Sequence, residues 1–146
     1  MSSIVSPLPT FPKHRKKVIV AGGRDFKDKA LLTRKLNRFT FLFEDVVIIT
    51  GAQRSREWDP ARGKWSYFGA DYLAEEWAHA KKYLVMRFHP DWDKYGKGAA
   101  FIRNREMAAF GDYLIAFWDG RSKGTANMIE EAEKKNLRIK IVRYGK

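Results

Sequence analysis

Glycines, arginines and carboxylates fall together at a few short stretches of this chain, and each stretch closes an apolar run. "VIVAGGRDF" ends in Gly22, Gly23, Arg24 and Asp25, "VVIIT" is followed by Gly51 and Ala52, and "YLIAFW" leads through Asp119 into Ser122, Lys123, Gly124 and Thr125. Glycines let a backbone come close to a phosphate, and a helix that begins beside them offers free N–H groups and the positive end of its dipole. An arginine at the same place grips a phosphate through paired hydrogen bonds. Gly22 and Gly23 are therefore expected to form a tight turn, and Arg24 to contact an anionic group. Asp25 is expected to cap the following helix or to accept from a ligand hydroxyl. Asp25 and Asp71 are the candidate carboxylates for any catalysis. Taken singly, each element has a plainer explanation: a glycine pair is a common turn, an aspartate an ordinary cap, and "SKGT" a helix start.

A second group of polar residues lies in "FIRNREMAAFGD". Ile102, Met107 and Phe110 fall on a plausible buried stripe, which places Arg103 and Asn104 near a helix start facing the same crevice. Arg103 suits a phosphate, and Asn104 a ribose or a base; the alternative is a surface arginine paired with Glu106. Gly69 and Asp71 open another helical segment, and Trp92, after "FHPD", is placed to stack on a ligand ring. There is no G-x-x-x-x-G-K-[ST] loop and no G-x-G-x-x-G fingerprint, so no cofactor is expected. With no cysteine, and His14, His79 and His89 scattered, no metal site is expected either.

These residues need a scaffold that gathers strand ends. Apolar runs alternate with helical patterns: a strand at 17–21, a helix near 27–39, a strand at 46–50, a helix near 70–82 and a strand at 83–88. A helix near 99–110, a strand at 113–118, a helix near 125–136 and a strand at 138–143 follow. Continuous rather than alternating apolar runs indicate strands covered on both faces, and strand-helix alternation indicates parallel crossovers. The expected fold is α/β: a Rossmann-like three-layer domain with a mostly parallel sheet of about five strands. In such a sheet ligands bind beyond the carboxyl ends of the strands.

One stretch breaks this rhythm. Residues 52–68, "AQRSREWDPARGKWSYF", show no clean period, and Arg54, Arg56, Arg62 and Lys64 alternate there with Trp58, Trp65 and Tyr67. That composition suits stacking on bases and contact with phosphates. It equally suits a lid or an oligomer contact. Residues 1–16, with Pro7, Pro9 and Pro12, read as a flexible basic lead-in to a single domain over 17–146.

Composition bounds the rest. A chain of 146 residues with 45% hydrophobic content holds one core, and its net charge of +12 draws anionic partners. No run approaches the ~18 apolar residues a membrane helix needs, and the basic cluster follows the weak apolar start, so no membrane partner and a cytoplasmic location are expected.

"VIVAGGRDF", "IITGA", "GADYLAEEWA", "HPDWDKYGKGAAFIRNREMA" and "LIAFWDGRSKGT" resemble the small phage and bacterial YspA-like proteins of the SLOG superfamily. The resemblance runs from Lys17 to about Val142 and implies a Rossmann-like fold with a pocket for a nucleotide derivative. Members usually carry T-G-G-A-x-G-x-D in one loop; here 52–68 separates Thr50-Gly51-Ala52 from Gly69-Ala70-Asp71. The related LOG phosphoribohydrolases carry P-G-G-x-G-T-x-x-E with a catalytic glutamate. Gly124-Thr125 matches the G-T, but Met128 stands at the glutamate position. Glu130 and Glu131 lie about 200° and 300° further round a helix of ~100° per residue, so neither replaces it.

The expected function is binding of a nucleotide or nucleotide-derived phosphorylated ligand, as a sensor or processing protein and as a homo-oligomer. The enzyme alternative is a nucleotide N-glycosidase or phosphoribohydrolase. The third is a DNA-binding module, since the DNA-processing protein DprA shares the superfamily and the chain is basic.

Overall fold

The computed structural model describes residues 8–145; the first part of the expected lead-in, 1–7, lies outside them. Residues 8–14 form no helix or strand, yet Leu8 packs on the core and Phe11 meets Phe110 edge-on at 6.4 Å. The first strand begins two residues earlier than the apolar run suggested.

The elements are β1 (Arg15–Gly22), α1 (Lys29–Phe39), β2 (Asp45–Thr50), β3 (Ser55–Asp59), β4 (Lys64–Phe68), α2 (Ala70–Ala80) and β5 (Leu84–Arg87). They continue with α3 (Trp92–Tyr95), α4 (Ala99–Phe110), β6 (Tyr113–Trp118), α5 (Lys123–Lys134) and β7 (Arg138–Arg143). Five strands form one parallel sheet in the order β5-β2-β1-β6-β7. The fold is the α/β, Rossmann-like, three-layer arrangement that the alternation indicates.

Strand alternation divides the core between the two faces. Val18 and Val20 of β1, Val46 and Ile48 of β2, and Ile115 and Phe117 of β6 pack with Leu32 and Leu36 of α1 and with Ala74 and Trp77 of α2. Ile19, Ala21, Ile49, Leu114 and Ala116 turn the other way, onto Met107 and Ala108 of α4 and Met128 and Ile129 of α5. Because both faces are covered, the buried stretches VIVA of β1, VVII of β2 and LIAF of β6 had to be apolar throughout.

Residues 52–68 are not an irregular loop. Their middle is an antiparallel ribbon, β3 paired with β4, around a turn in which the Gly63 N–H donates to Asp59 O at 2.8 Å. The Asp59 carboxylate accepts from the Ala61 and Arg62 N–H groups, and Gly63 takes the positive φ of 65° that the turn requires. Among the described residues no helix is long and apolar enough to cross a membrane.

Candidate functional site

β1 and β6 are neighbours, but the chain runs from β1 outward to β2 and β5 before returning to β6 and β7. The order reverses between β1 and β6, and loops leaving such a pair diverge to opposite faces and leave a crevice. A cavity of about 410 Å³ opens at that place. Val20, Ala21, Met107 and Met128 give it an apolar floor, and the ends of β1, β2 and β6 give it polar walls.

Of the residues expected at a ligand site, Gly22, Gly23, Arg24, Asp25, Gly51, Asp71, Arg103, Asn104, Ser122, Gly124 and Thr125 line this cavity. Three do not. Ala52 and Trp92 border an adjoining depression that shares Arg24, Gly51 and Gln53 with it. Gly69 lies behind the wall, where its N–H donates to Phe26 O at 2.9 Å and ties α2 to the β1–α1 turn.

The glycines at the strand ends are required by the protein's own packing. A Cβ on Gly22 would stand 2.6 Å from both Phe117 O and Ala70 Cβ, and one on Gly51 would stand 2.4 Å from Arg103 Nη1. Gly124 differs, because a Cβ there would meet no atom within 4 Å although the residue lines the cavity. Space beside the first turn of α5 is therefore open to a ligand. Gly22→Ala should lower stability by about 1–3 kcal/mol through overpacking. Gly124→Ala should leave stability unchanged or raise it by up to about 1 kcal/mol, and should weaken ligand binding. Urea titrations of both variants provide the check; equal losses would show that the strand ends are not packed as described.

The polar side chains divide into those held by the protein and those turned to the opening. Arg103 stands in the second turn of α4 rather than at its start, and it is only 5% exposed, so it is no surface arginine. Its Nη1 donates to Gly51 O at 2.7 Å and to Phe88 O at 3.3 Å, and its Nε to Asn104 Oδ1 at 2.9 Å. Asn104 Nδ2 donates to Gly124 O at 3.3 Å and to Asn127 Oδ1 at 2.9 Å. This pair fixes the β2 end and the start of α5 relative to each other. Asn104 is thus engaged on both sides of its amide instead of being held out to read a base.

Asp25 does not cap α1. Asp28 does, accepting from the Leu31 N–H at 3.0 Å, while Asp25 accepts from the Tyr144 hydroxyl at 2.7 Å. Partial burial and the Asp25 carboxylate hold the Tyr144 phenol above its ordinary range, so it stays a donor. Ser122 caps α5, with its Oγ accepting from the Thr125 N–H at 3.4 Å. Asp119 accepts from the Ser122 and Arg121 N–H groups, which keep its carboxyl below the usual range. Arg24 is exposed at the rim, its Nε on Gln53 Oε1 at 3.2 Å.

Asp71 is the unusual group. It sits in the first turn of α2, 8% exposed, accepting from the Gln53 N–H at 3.1 Å. Burial pushes its carboxyl from 3.8 up to about 7; the Gln53 N–H and Arg103 pull against this, and Glu75, one turn further along, adds to it. Asp71 can therefore hold or release a proton near neutrality. Met128, at the position of the LOG glutamate, is buried on the floor. Glu130 and Glu131 pair with Lys134 away from the cavity. Among the described residues no cluster of three or more potential metal ligands occurs.

Sequence reasoning left out Gln53 and Asp119, which line the cavity, and Tyr144, which does not line it but holds Asp25. Asp119 follows β6 directly and could have been included on position alone. Gln53 was hidden in the aromatic-basic stretch, and Tyr144 lies beyond the last strand with no local signal.

No known family profile matches the chain, and no solved structure matches it. The Gene 61 protein of Mycobacterium phage D29 is similar to it, 29% identical over 140 residues, an alignment covering 89% of this chain and 97% of that protein.

Proposed function

We propose that this chain binds a nucleotide or nucleotide-derived phosphorylated ligand in the cavity at the carboxyl edge of its sheet, as a sensor or processing protein of the SLOG type. One observation carries the reading: a cavity with an apolar floor and glycine-lined walls lies at the reversal between β1 and β6, with the start of α5 open beside Gly124. A phosphate would sit on the α5 N-terminus, where unpaired N–H groups and the helix dipole favour an anion. Arg24, exposed at the rim, would close on it. The apolar floor would take a base, and Asp71 with Gln53 would face the ribose.

Thermal unfolding with mononucleotides, dinucleotides and cyclic nucleotides tests this. A ligand at 100 times its dissociation constant should stabilise the fold by ~2.7 kcal/mol, seen as a rise in Tm. A panel that leaves Tm unchanged throughout would overturn the reading.

A second reading, hydrolysis of a nucleotide N-glycosidic bond, is favoured by the neutral-range carboxyl of Asp71 within the cavity wall. Water would bond to C1′ as the C1′–N bond breaks. The electron pair would leave on the base nitrogen, which takes the Asp71 proton, while the proton lost by the water returns to Asp71. Chromatographic detection of free base, abolished by Asp71→Asn, would support it; base release that survives the substitution would exclude this role.

A further inference from the structure

The β3–β4 ribbon contributes neither to the cavity floor nor to the core. Arg56 stands opposite Tyr67 and Trp58 opposite Trp65, so these four side chains share one face of the ribbon. That face is open, with Trp58 51%, Trp65 42% and Tyr67 37% exposed. Trp58 and Trp65 meet edge-on at 5.5 Å, the Arg56 guanidinium lies 4.1 Å from the Trp65 ring centre, and that of Arg54 lies 4.9 Å from the Tyr67 ring centre.

The ribbon's carboxylates are occupied elsewhere. Glu57 pairs with Lys27 at 2.9 Å and Asp59 with Arg62 at 3.9 Å, on the face turned away from the rings. On the ring side, Arg54 and Arg56 form no ion pair among the described residues. An exposed row of large rings flanked by unneutralised cations, on a chain of net charge +12, is complementary to a polyanion whose aromatic faces are free.

We propose that this face of the ribbon binds single-stranded nucleic acid, with Trp58, Trp65 and Tyr67 stacking on unpaired bases and Arg54 and Arg56, which lie over the Tyr67 and Trp65 rings, contacting phosphates. A duplex hides its base faces and offers the rings nothing to stack on. A second copy of the chain would set Arg54 and Arg56 of each ribbon against those of the other, a like-charge contact. The ribbon's base is joined to the cavity rim, because Ser55 Oγ donates to Arg24 O at 2.9 Å. The proposal rests on the ribbon and stands or falls separately from the nucleotide reading.

Fluorescence anisotropy of a labelled oligo-dT of about 12 nucleotides, a length within the usual site sizes of stacking surfaces, is the test. The full chain should bind it, and log K should fall with log salt at a slope of about −1.4, the value for two phosphate contacts on a single strand. The Trp58→Ala/Trp65→Ala double variant should weaken binding at least about tenfold, since it removes two stacking platforms. Arg54→Glu/Arg56→Glu should weaken it as much while keeping the rings, which covers the case of a tryptophan variant that distorts the ribbon. Circular dichroism checks that each variant is folded. Affinity unchanged in folded variants of both kinds, or equal affinity for a duplex of the same length, would overturn the proposal. So would a dimer on sizing chromatography that the tryptophan variant dissolves while oligo-dT fails to bind.

Discussion

Arg103→Ala is expected to lower stability by about 3 kcal/mol and to abolish ligand binding, a larger effect on the fold than the sequence suggests. A reading from the helix pattern alone makes Arg103 a phosphate grip whose removal spares the fold. The structure buries it, with donors on Gly51 O, Phe88 O and Asn104 Oδ1. Truncation strips two buried carbonyls of their donor and removes the cation that restrains Asp71. Breaking one side of such a buried charged network costs about 3–5 kcal/mol, because the groups left behind remain desolvated. Arg103→Lys should recover only part of the loss, since an ammonium cannot span the same acceptors with a planar fork. Urea unfolding at neutral pH measures this. A loss below about 1 kcal/mol would mean that the β2 end is held by something other than Arg103.

The pH dependence of stability should carry the signature of Asp71. Its carboxyl is raised by burial to about 7 in the native state. The native state therefore holds a proton that the unfolded chain has released once the pH exceeds the ordinary carboxyl value. The stabilisation from this group is complete below about pH 4, declines as pH rises, and is gone above about pH 7, a change on the order of 4 kcal/mol. Asp71→Asn keeps an acceptor for the Gln53 N–H and removes the titration. The variant should match the parent protein near pH 3 and exceed it in stability at pH 8. Comparing unfolding midpoints at the two pH values isolates Asp71 from the other carboxylates, which titrate alike in both proteins. Parallel profiles would show that Asp71 ionises as an ordinary exposed carboxylate. Phosphate binding follows the same sign, weakening above pH 7 in the parent as Asp71 adds its negative charge to those of Asp25 and Asp119 in the cavity wall.

The sheet was legible because burial on both faces leaves a strand no freedom of composition. "YLIAFW" marks β6 at its observed ends and "VVIIT" marks β2 to within one residue, whereas "RIKIVR", the largely exposed edge strand β7, was marked by its β-branched residues instead. Most of the site followed, since strand order in such a fold brings the ends of β1, β2 and β6 together. The roles of the gathered residues were harder to read. Asp25, Asp28, Arg103 and Asn104 each have a polar side chain suited to a ligand, and only the fold shows that Asp28 is spent on a helix cap and Asn104 on α5. Tyr144 reaches Asp25 from the opposite end of the sequence, a contact no local pattern encodes. The β3–β4 ribbon was missed for another reason. Its period-two alternation, Arg56 and Trp58 on one strand, Trp65 and Tyr67 on the other, was present around "DPARG", but the amphipathic signal is of rings against charges rather than apolar against polar, and it marks an exposed face instead of a buried one.

The central claim is that a nucleotide sits among the strand ends at the reversal between β1 and β6. Nuclear magnetic resonance titration of the ¹⁵N-labelled chain with the four ribonucleoside monophosphates tests this most directly, since it reads where a ligand binds. The account predicts saturable shifts for at least one of them, concentrated at the amides of Gly22, Gly23, Gly51, Gly124 and Thr125. Saturable shifts confined to the ribbon of β3 and β4 or to the opposite edge of the sheet, with these five amides unmoved, would contradict it.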